Sequence, residues 1–192
     1  MAKKLSEMTL EELWQLFPIV LTKHQDCWKE WYLKEENLLK TLLLQAERIS
    51  HIGSTAISSI WAKPIIDILV EISSKSNLSE LKNLIISNGY ICMAESENRL
   101  SFNKGYTENG FAERVFHLHL RYLGDNDELY FRDYLINFPE VAKEYEKLKL
   151  SLWKQYGHNR DAYTNAKTEF VKKYTLQAKI LYENRFDKIM LN

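Results

Sequence analysis

The spacing of apolar positions changes character along this chain, from helical at the start, through strand-like in the middle, to helical again. Thr9-Leu-Glu-Glu12 carries the hydroxyl and carboxylate of a capping box, so a short helix is expected to begin there. Residues 24–46 contain neither Pro nor Gly, and Trp28, Trp31, Tyr32, Leu38, Leu39, Leu42 and Leu43 recur at helical spacing, which predicts a longer amphipathic helix. Residues 47–52 read as a strand running into Gly53-Ser54, and residues 65–72 as a second strand. Residues 78–87 read as a helix stopped by Asn88-Gly89. Short strands are expected at 90–93 and 99–104, and a further strand at 115–122 closed by Leu123-Gly-Asp-Asn126. Beyond it the pattern is helical: 127–137, then 140–156 just after Pro139, a break at Gly157-His-Asn159, and 161 to about 185.

Strands and helices mixed in the first two thirds, with helices closing the chain, predict an α+β fold: one mixed sheet backed by helices. A single domain over 1–192 is expected, with a helical segment at 1–46, the sheet core at 47–124 and C-terminal helices at 125–192 packed against it.

Composition narrows the function classes. The chain has 192 residues, 45% of them hydrophobic and 12% aromatic, with only 6 Gly and 3 Pro, which excludes disorder and low-complexity architecture. The 26 basic and 26 acidic side chains balance to a formal net charge of +0, so no overall field draws in polyanions, no nucleic-acid partner is expected, and any phosphate chemistry must be local. Cys27 and Cys92 lie far apart with no CxxC spacing and read as reduced thiols. The first residues show no apolar core of a secretory signal, and no apolar run approaches the length of a membrane span, so a cytoplasmic location without a membrane partner is expected.

The chemistry lies on strand faces. In Pro64-Ile-Ile-Asp-Ile-Leu-Val-Glu-Ile72 the even positions Ile66, Ile68, Val70 and Ile72 are aliphatic, while Ile65, Asp67, Leu69 and Glu71 occupy the odd ones. Alternation sends the two sets to opposite faces, leaving a carboxylate in the middle of an apolar run. An isolated buried charge is costly, so Asp67 must face a cleft, pair with a cation such as Lys63, Arg48 or Arg99, or hold a metal. The strand at 115–122 repeats the device. Phe116, Leu118, Leu120 and Tyr122 form one face, and Val115, His117, His119 and Arg121 the other. The two imidazoles then project side by side, about 6.6 Å apart at the backbone, able to share a ligand or simply to meet water. Gly53-Ser54 lets the backbone approach a phosphate, and Lys63 just before the second strand is placed to reach one as a point charge. Tyr163 and Lys167 are one helical turn apart and can act from above the cleft, although Tyr163, Ala166, Phe170, Tyr174 and Leu181 also trace a stripe that reads as core. Arg132 and Asp133 read as a pair within the helical layer.

With their neighbours these residues form five blocks: His51-Ile-Gly-Ser-Thr-Ala56, Ala62-Lys-Pro-Ile-Ile-Asp-Ile68, His117-Leu-His119, Phe131-Arg-Asp-Tyr-Leu135 and Asp161-Ala-Tyr-Thr-Asn-Ala-Lys167. In that order, over about residues 14–180, they resemble the GrpB-like family of the nucleotidyltransferase superfamily. The resemblance implies a nucleotidyltransferase-like sheet, with Gly53 and Ser54 at the phosphate turn and Asp67 at the first of two metal-binding carboxylates. It also implies a divalent metal (Mg or Mn) and a nucleoside triphosphate, with a small molecule or protein as acceptor. The chain departs from the pattern at the second carboxylate, which is Leu69 and cannot ligate. Glu71 shares the face of Asp67 but lies about 13 Å along the strand, too far to share one ion. His117 and His119 are the remaining metal-ligand candidates, and imidazole points toward Zn.

Two readings follow. In one the chain is a metal-dependent nucleotidyltransferase with catalytic Asp67, and Gly53, Ser54, Lys63 and Lys167 hold the nucleotide. In the other it is a catalytically degenerate nucleotide- or ligand-binding module on the same fold. A histidine-centred metallohydrolase rests on His117 and His119 alone.

Overall fold

The computed structural model describes residues 3–183 and 185–186; the outermost residues of the expected domain lie outside the described residues, and the expected final helix stops at Tyr182, with 183 and 185 in a turn. The helices are α1 (Leu10–Leu16), α2 (Cys27–Leu42), α3 (Leu78–Ser87), α4 (Asp127–Asn137), α5 (Pro139–Tyr156), α6 (Arg160–Asn165) and α7 (Thr168–Tyr182). The strands are β1 (Ala46–Ile52), β2 (Ile66–Ile72), β3 (Ile91–Glu95), β4 (Arg99–Thr107) and β5 (Gly110–Tyr122). Thr9 starts α1 through the expected reciprocal cap: its hydroxyl accepts from the Glu12 amide, and the Glu12 carboxylate accepts from the Thr9 amide at 2.7 Å.

The five strands form one mixed sheet in the order β1-β2-β5-β4-β3. β2 and β5 are parallel and the other neighbours antiparallel. A parallel pair needs a crossover, and here α3, β3 and β4 all intervene before the chain returns as β5. The even positions of β2 face a core as expected. Ile66, Ile68, Val70 and Ile72 pack with Phe116, Leu118 and Leu120 of β5 and Leu100 and Phe102 of β4, beneath Trp28 and Leu39 of α2 and Leu81 and Ile85 of α3. Each such side chain contributes about 1.5–3 kcal/mol on full burial, so this face anchors the sheet and leaves the opposite face free to carry polar groups.

Helices α4 to α7 cover that second face. Leu135 of α4, Val141, Ala142 and Tyr145 of α5 and Tyr174 of α7 close around Ile57 and Ile60, which lie in the loop after β1. The same loop is hydrogen-bonded to α5, because Glu146 accepts from the Trp61 amide at 2.8 Å and Lys143 donates to the Ser59 carbonyl at 2.6 Å. Ile52, Leu69 and Leu129 seal the sheet against α4, with Phe186 packed alongside.

α2 is shorter than the expected 24–46, β4 runs on to Thr107 rather than ending near residue 104, and two more elements depart from expectation. β5 begins at Gly110 rather than near residue 115, because Gly110–Arg114 pairs with β4 across a tight Glu108-Asn109 turn although its side chains are mostly exposed and show no apolar alternation. The expected single last helix is two, α6 and α7, separated at Ala166 and Lys167, which keep near-helical dihedrals. Tyr163 and Tyr174 are buried as the stripe predicts, but Ala166 and Leu181 are exposed. Both cysteines are free and half-buried. Among the described residues no helix is long and apolar enough to cross a membrane.

Candidate functional site

Strand register assembles the site. On the face away from the main core, Ile52, Asp67, His117 and Asn103 lie opposite one another across β1, β2, β5 and β4. Ser50, Leu69, His119 and Ser101 form the next row, and Arg48, Glu71, Arg121 and Arg99 the third. The charges of the third row are taken up by one another and by Asp125. Glu71, fully buried, pairs with Arg48 and accepts from the Gly124 amide at 3.1 Å and the Asn126 side chain at 3.0 Å. Arg99 holds Asp125 through two bonds of 2.6 Å. Neither arginine reaches Asp67, whose side chain keeps 28% exposure and meets imidazoles instead: His117 Nδ1 at 3.1 Å and His119 Nε2 at 4.0 Å.

Both imidazoles are held from behind. His117 Nε2 lies 2.8 Å from the Tyr106 hydroxyl, to which Arg160 donates at 2.8 Å. His119 Nδ1 lies 3.3 Å from an Arg121 amino group. Burial would raise the Asp67 pKa, but the hydrogen bond from His117 and the nearby His119 ring outweigh it and hold this carboxyl well below the ordinary range, so it is a carboxylate at neutral pH. Burial lowers His117, only partly opposed by Asp67. Tyr106 reaches the site through a bulge: alternation from Asn103 would turn Tyr106 to the core face, and the register shift at Gly105 (φ +89°) brings it back beside His117.

The turn after β1 is built around glycine. Gly53 has φ +69°, and an added Cβ would stand 2.2 Å from Asp67 Oδ2, so the carboxylate occupies the space a side chain would need. His51 fixes the turn: its ring stacks on Tyr32 at 4.6 Å and its Nε2 meets the Thr55 hydroxyl at 3.0 Å, which donates to the Ile65 carbonyl. Arg132, expected only to pair with Asp133, also donates to the His51 carbonyl at 2.9 Å and ties α4 to this turn.

Three lysines converge here. Lys63, Lys149 and Lys167 line a pocket of about 180 Å³ with Gly53, Ser54 and Asp67. Lys149 is 2% exposed and donates to Ser54 Oγ at 2.9 Å and to the Trp61 carbonyl. Lys63 and Lys167 lie over the Tyr163 ring at 5.5 and 4.3 Å, with no hydrogen-bond or ion-pair acceptor among the described residues. The buried Tyr163 hydroxyl has no partner there either. Burial and mutual repulsion push Lys63 and Lys149 down to about 7, and burial takes Lys167 to about 8. Lys149, Tyr106 and Arg160 are site residues not named from the sequence, and of these Lys149 left a trace there. Its signal was helical phase, since it falls on the face of α5 that carries Val141, Ala142, Tyr145 and Leu152.

A larger cleft of about 530 Å³ adjoins this pocket, lined by His119, Phe131, Arg132, Val171 and Thr175 among others. Gly53, Ser54, Asp67 and Tyr145 line both cavities and form the doorway between them. Asp67, His117, His119, Gly53, Ser54, Lys63 and Lys167 are thus all brought to one place. Among the described residues no three His, Cys, Asp or Glu side chains gather as a metal-holding group. Leu69, at the position of the second carboxylate, is fully buried against Ile52 and Leu129.

Comparison with known proteins gives a consistent assignment. The family described as "GrpB protein" matches residues 18–177. The chain is 38% identical over 161 residues to "Glutamate-rich protein GrpB" of Alkalihalophilus pseudofirmus, covering 80% of this chain and 91% of that one. It is 32% identical over 176 residues to "UPF0157 protein YqkA" of Bacillus subtilis, covering 88% of this chain but only 50% of that protein. The crystal structure of conserved protein GrpB from Enterococcus faecalis superposes with a TM-score of 0.74 at 30% identity, over 85% of this chain and 99% of that chain. With the family matched across most of its length, in sequence and in fold, this chain belongs to the GrpB family.

Proposed function

We propose that this chain binds a nucleotide, with its phosphate groups in the lysine pocket beside Gly53-Ser54 and its base and sugar in the adjoining cleft, on a nucleotidyltransferase-like fold. The supporting observation is the convergence of Lys63, Lys149 and Lys167 on one small polar pocket that contains a single carboxylate. Collecting three ammonium groups out of water is costly, and an anionic ligand is what offsets it. The volumes suit the division: the smaller pocket is polar, and the larger is walled by Phe131, Val171 and Tyr145.

The two-metal arrangement of nucleotidyl transfer does not fit the residues present. It needs a second carboxylate beside Asp67, and Leu69 is packed in the core there, while Glu71 is engaged by Arg48. Of the two readings drawn from the sequence, the ligand-binding module on this fold is therefore the one the site supports.

A thermal-shift series tests this. ATP, GTP, UTP and tripolyphosphate in EDTA are each expected to raise the melting temperature, because a ligand at 100 times its Kd stabilises by about 2.7 kcal/mol. Replacing Lys63, Lys149 and Lys167 together by Met should abolish the shift. No shift with any of these anions, or an equal shift in the triple variant, overturns the reading. Pyrophosphate release that needs Mg²⁺ or Mn²⁺ and disappears in Asp67→Ala would favour the transferase instead.

A further inference from the structure

The partners behind His117 and His119 decide where the ring protons sit. Arginine has hydrogens to donate and no lone pair to offer. Arg160 therefore donates to the Tyr106 oxygen; the Asp67 carboxylate, 3.1 Å from Nδ1, can only accept, so the uncharged His117 must carry its proton on Nδ1, and its bare Nε2 takes the Tyr106 hydrogen. The same logic acts on His119. Arg121 donates to Nδ1 at 3.3 Å, so the proton of the uncharged ring lies on Nε2, the nitrogen facing Asp67 and the cleft. A metal-binding imidazole shows the opposite pattern, with a bare nitrogen toward the ion and an N–H donated to an acceptor behind it. Here a donor stands behind each ring, and each presents an N–H where an ion would lie.

We infer that Asp67, His117 and His119 form a metal-free subsite for a ligand hydroxyl. His119 Nε2–H donates to that hydroxyl, Asp67 accepts from it, and His117 holds the carboxylate in place. The gap between His119 Nε2 and Asp67 Oδ1 is 4.0 Å, too long for a direct bond, yet one oxygen about 2.8 Å from each fits between them. The ligand class is then narrower than nucleotide alone. Because Asp67 lines both cavities, the hydroxyl belongs to the group joining the phosphates to the body of the ligand, as a ribose does. This rests on the phosphate reading of the lysine pocket.

Three measurements separate the two. Long-range proton–nitrogen spectra of the imidazoles, on the full chain in EDTA without ligand, should show the proton of His117 on Nδ1 and that of His119 on Nε2. The reverse tautomer at either ring overturns the inference. Titration with Zn²⁺, Mn²⁺ and Mg²⁺ should show no stoichiometric site dependent on these residues. A tight site lost in both Asp67→Ala and His119→Ala overturns it too. In EDTA, 2′-deoxy- or 3′-deoxy-ATP should bind about tenfold or more weakly than ATP, and His119→Ala should erase that difference. ATP and both deoxy analogues binding equally well sinks the hydroxyl subsite and leaves the lysine pocket standing. Failure of ATP and tripolyphosphate alike sinks the phosphate reading itself, and this subsite with it.

Discussion

At the scale of single residues, the site depends on groups held where they are uncomfortable. Gly53 combines a positive φ with the Asp67 carboxylate against its Cα, so Gly53→Ala meets both backbone strain of about 1–3 kcal/mol and a collision. Denaturant unfolding should show a loss of at least that size, together with loss of nucleotide binding; a neutral substitution would mean the turn is not built around this contact. The lysines carry a pH dependence whose sign is fixed. Their folded pKa values, about 7 for Lys63 and Lys149 and about 8 for Lys167, lie below the ordinary lysine value. The unfolded chain thus holds more protons between pH 7 and 10, and their contribution to stability without ligand rises with pH across that window. An anion favours the charged forms, so its binding takes up protons and weakens as pH rises above about 7. Titration calorimetry of tripolyphosphate at pH 8 in two buffers of different ionisation enthalpy should report net proton uptake, reduced in Lys149→Met.

At the scale of elements, strand alternation made half of the site legible. The faces of β2 and β5 could be read directly, and parallel pairing then put Asp67 opposite His117. Tyr106 could not be read, because its position depends on a one-residue bulge whose only signal is Gly105, and a lone glycine in a strand does not say which way the register slips. Lys149 was hidden by type: a lysine inside a helical pattern reads as solvated, and only its phase among buried neighbours betrays it. The division of α6 from α7 carried no Gly or Pro to mark it. The bulge is testable. A Cβ at Gly105 would lie 2.3 Å from the Arg114 carbonyl oxygen, so Gly105→Ala should displace Tyr106 and move the His117 ring resonances, an effect that Tyr106→Phe should reproduce. Unmoved resonances in both variants would detach β4 from the site.

At the scale of the whole molecule, the sheet and the helices are joined by Glu71. From the middle of the sheet it reaches Arg48 on β1 and the Gly124–Asn126 connection into α4, while Arg48 also donates to the Phe186 carbonyl at 3.0 Å. Glu71→Ala leaves a cation without its partner, which costs about 3–5 kcal/mol. At about 2–4 °C per kcal/mol for a chain of this size, the melting temperature should fall by roughly 10 °C, and a fall of under 2 °C would show that the pair does not hold the layers together. The mixed architecture and its division into sheet and closing helices could be read from periodicity. That the C-terminal helices grip the loop between Gly53 and Lys63 could not, since Glu146, Lys143 and Lys149 are ordinary charges until α5 is laid against that loop.

One consequence follows from the line running from Arg160 through Tyr106 and His117 to Asp67. Its far end is a half-buried guanidinium, which has nowhere to put an incoming proton. The wire is therefore closed at the back. Each hydrogen along it points toward Asp67, so the line sets the polarity of the pocket and conducts no proton away from it.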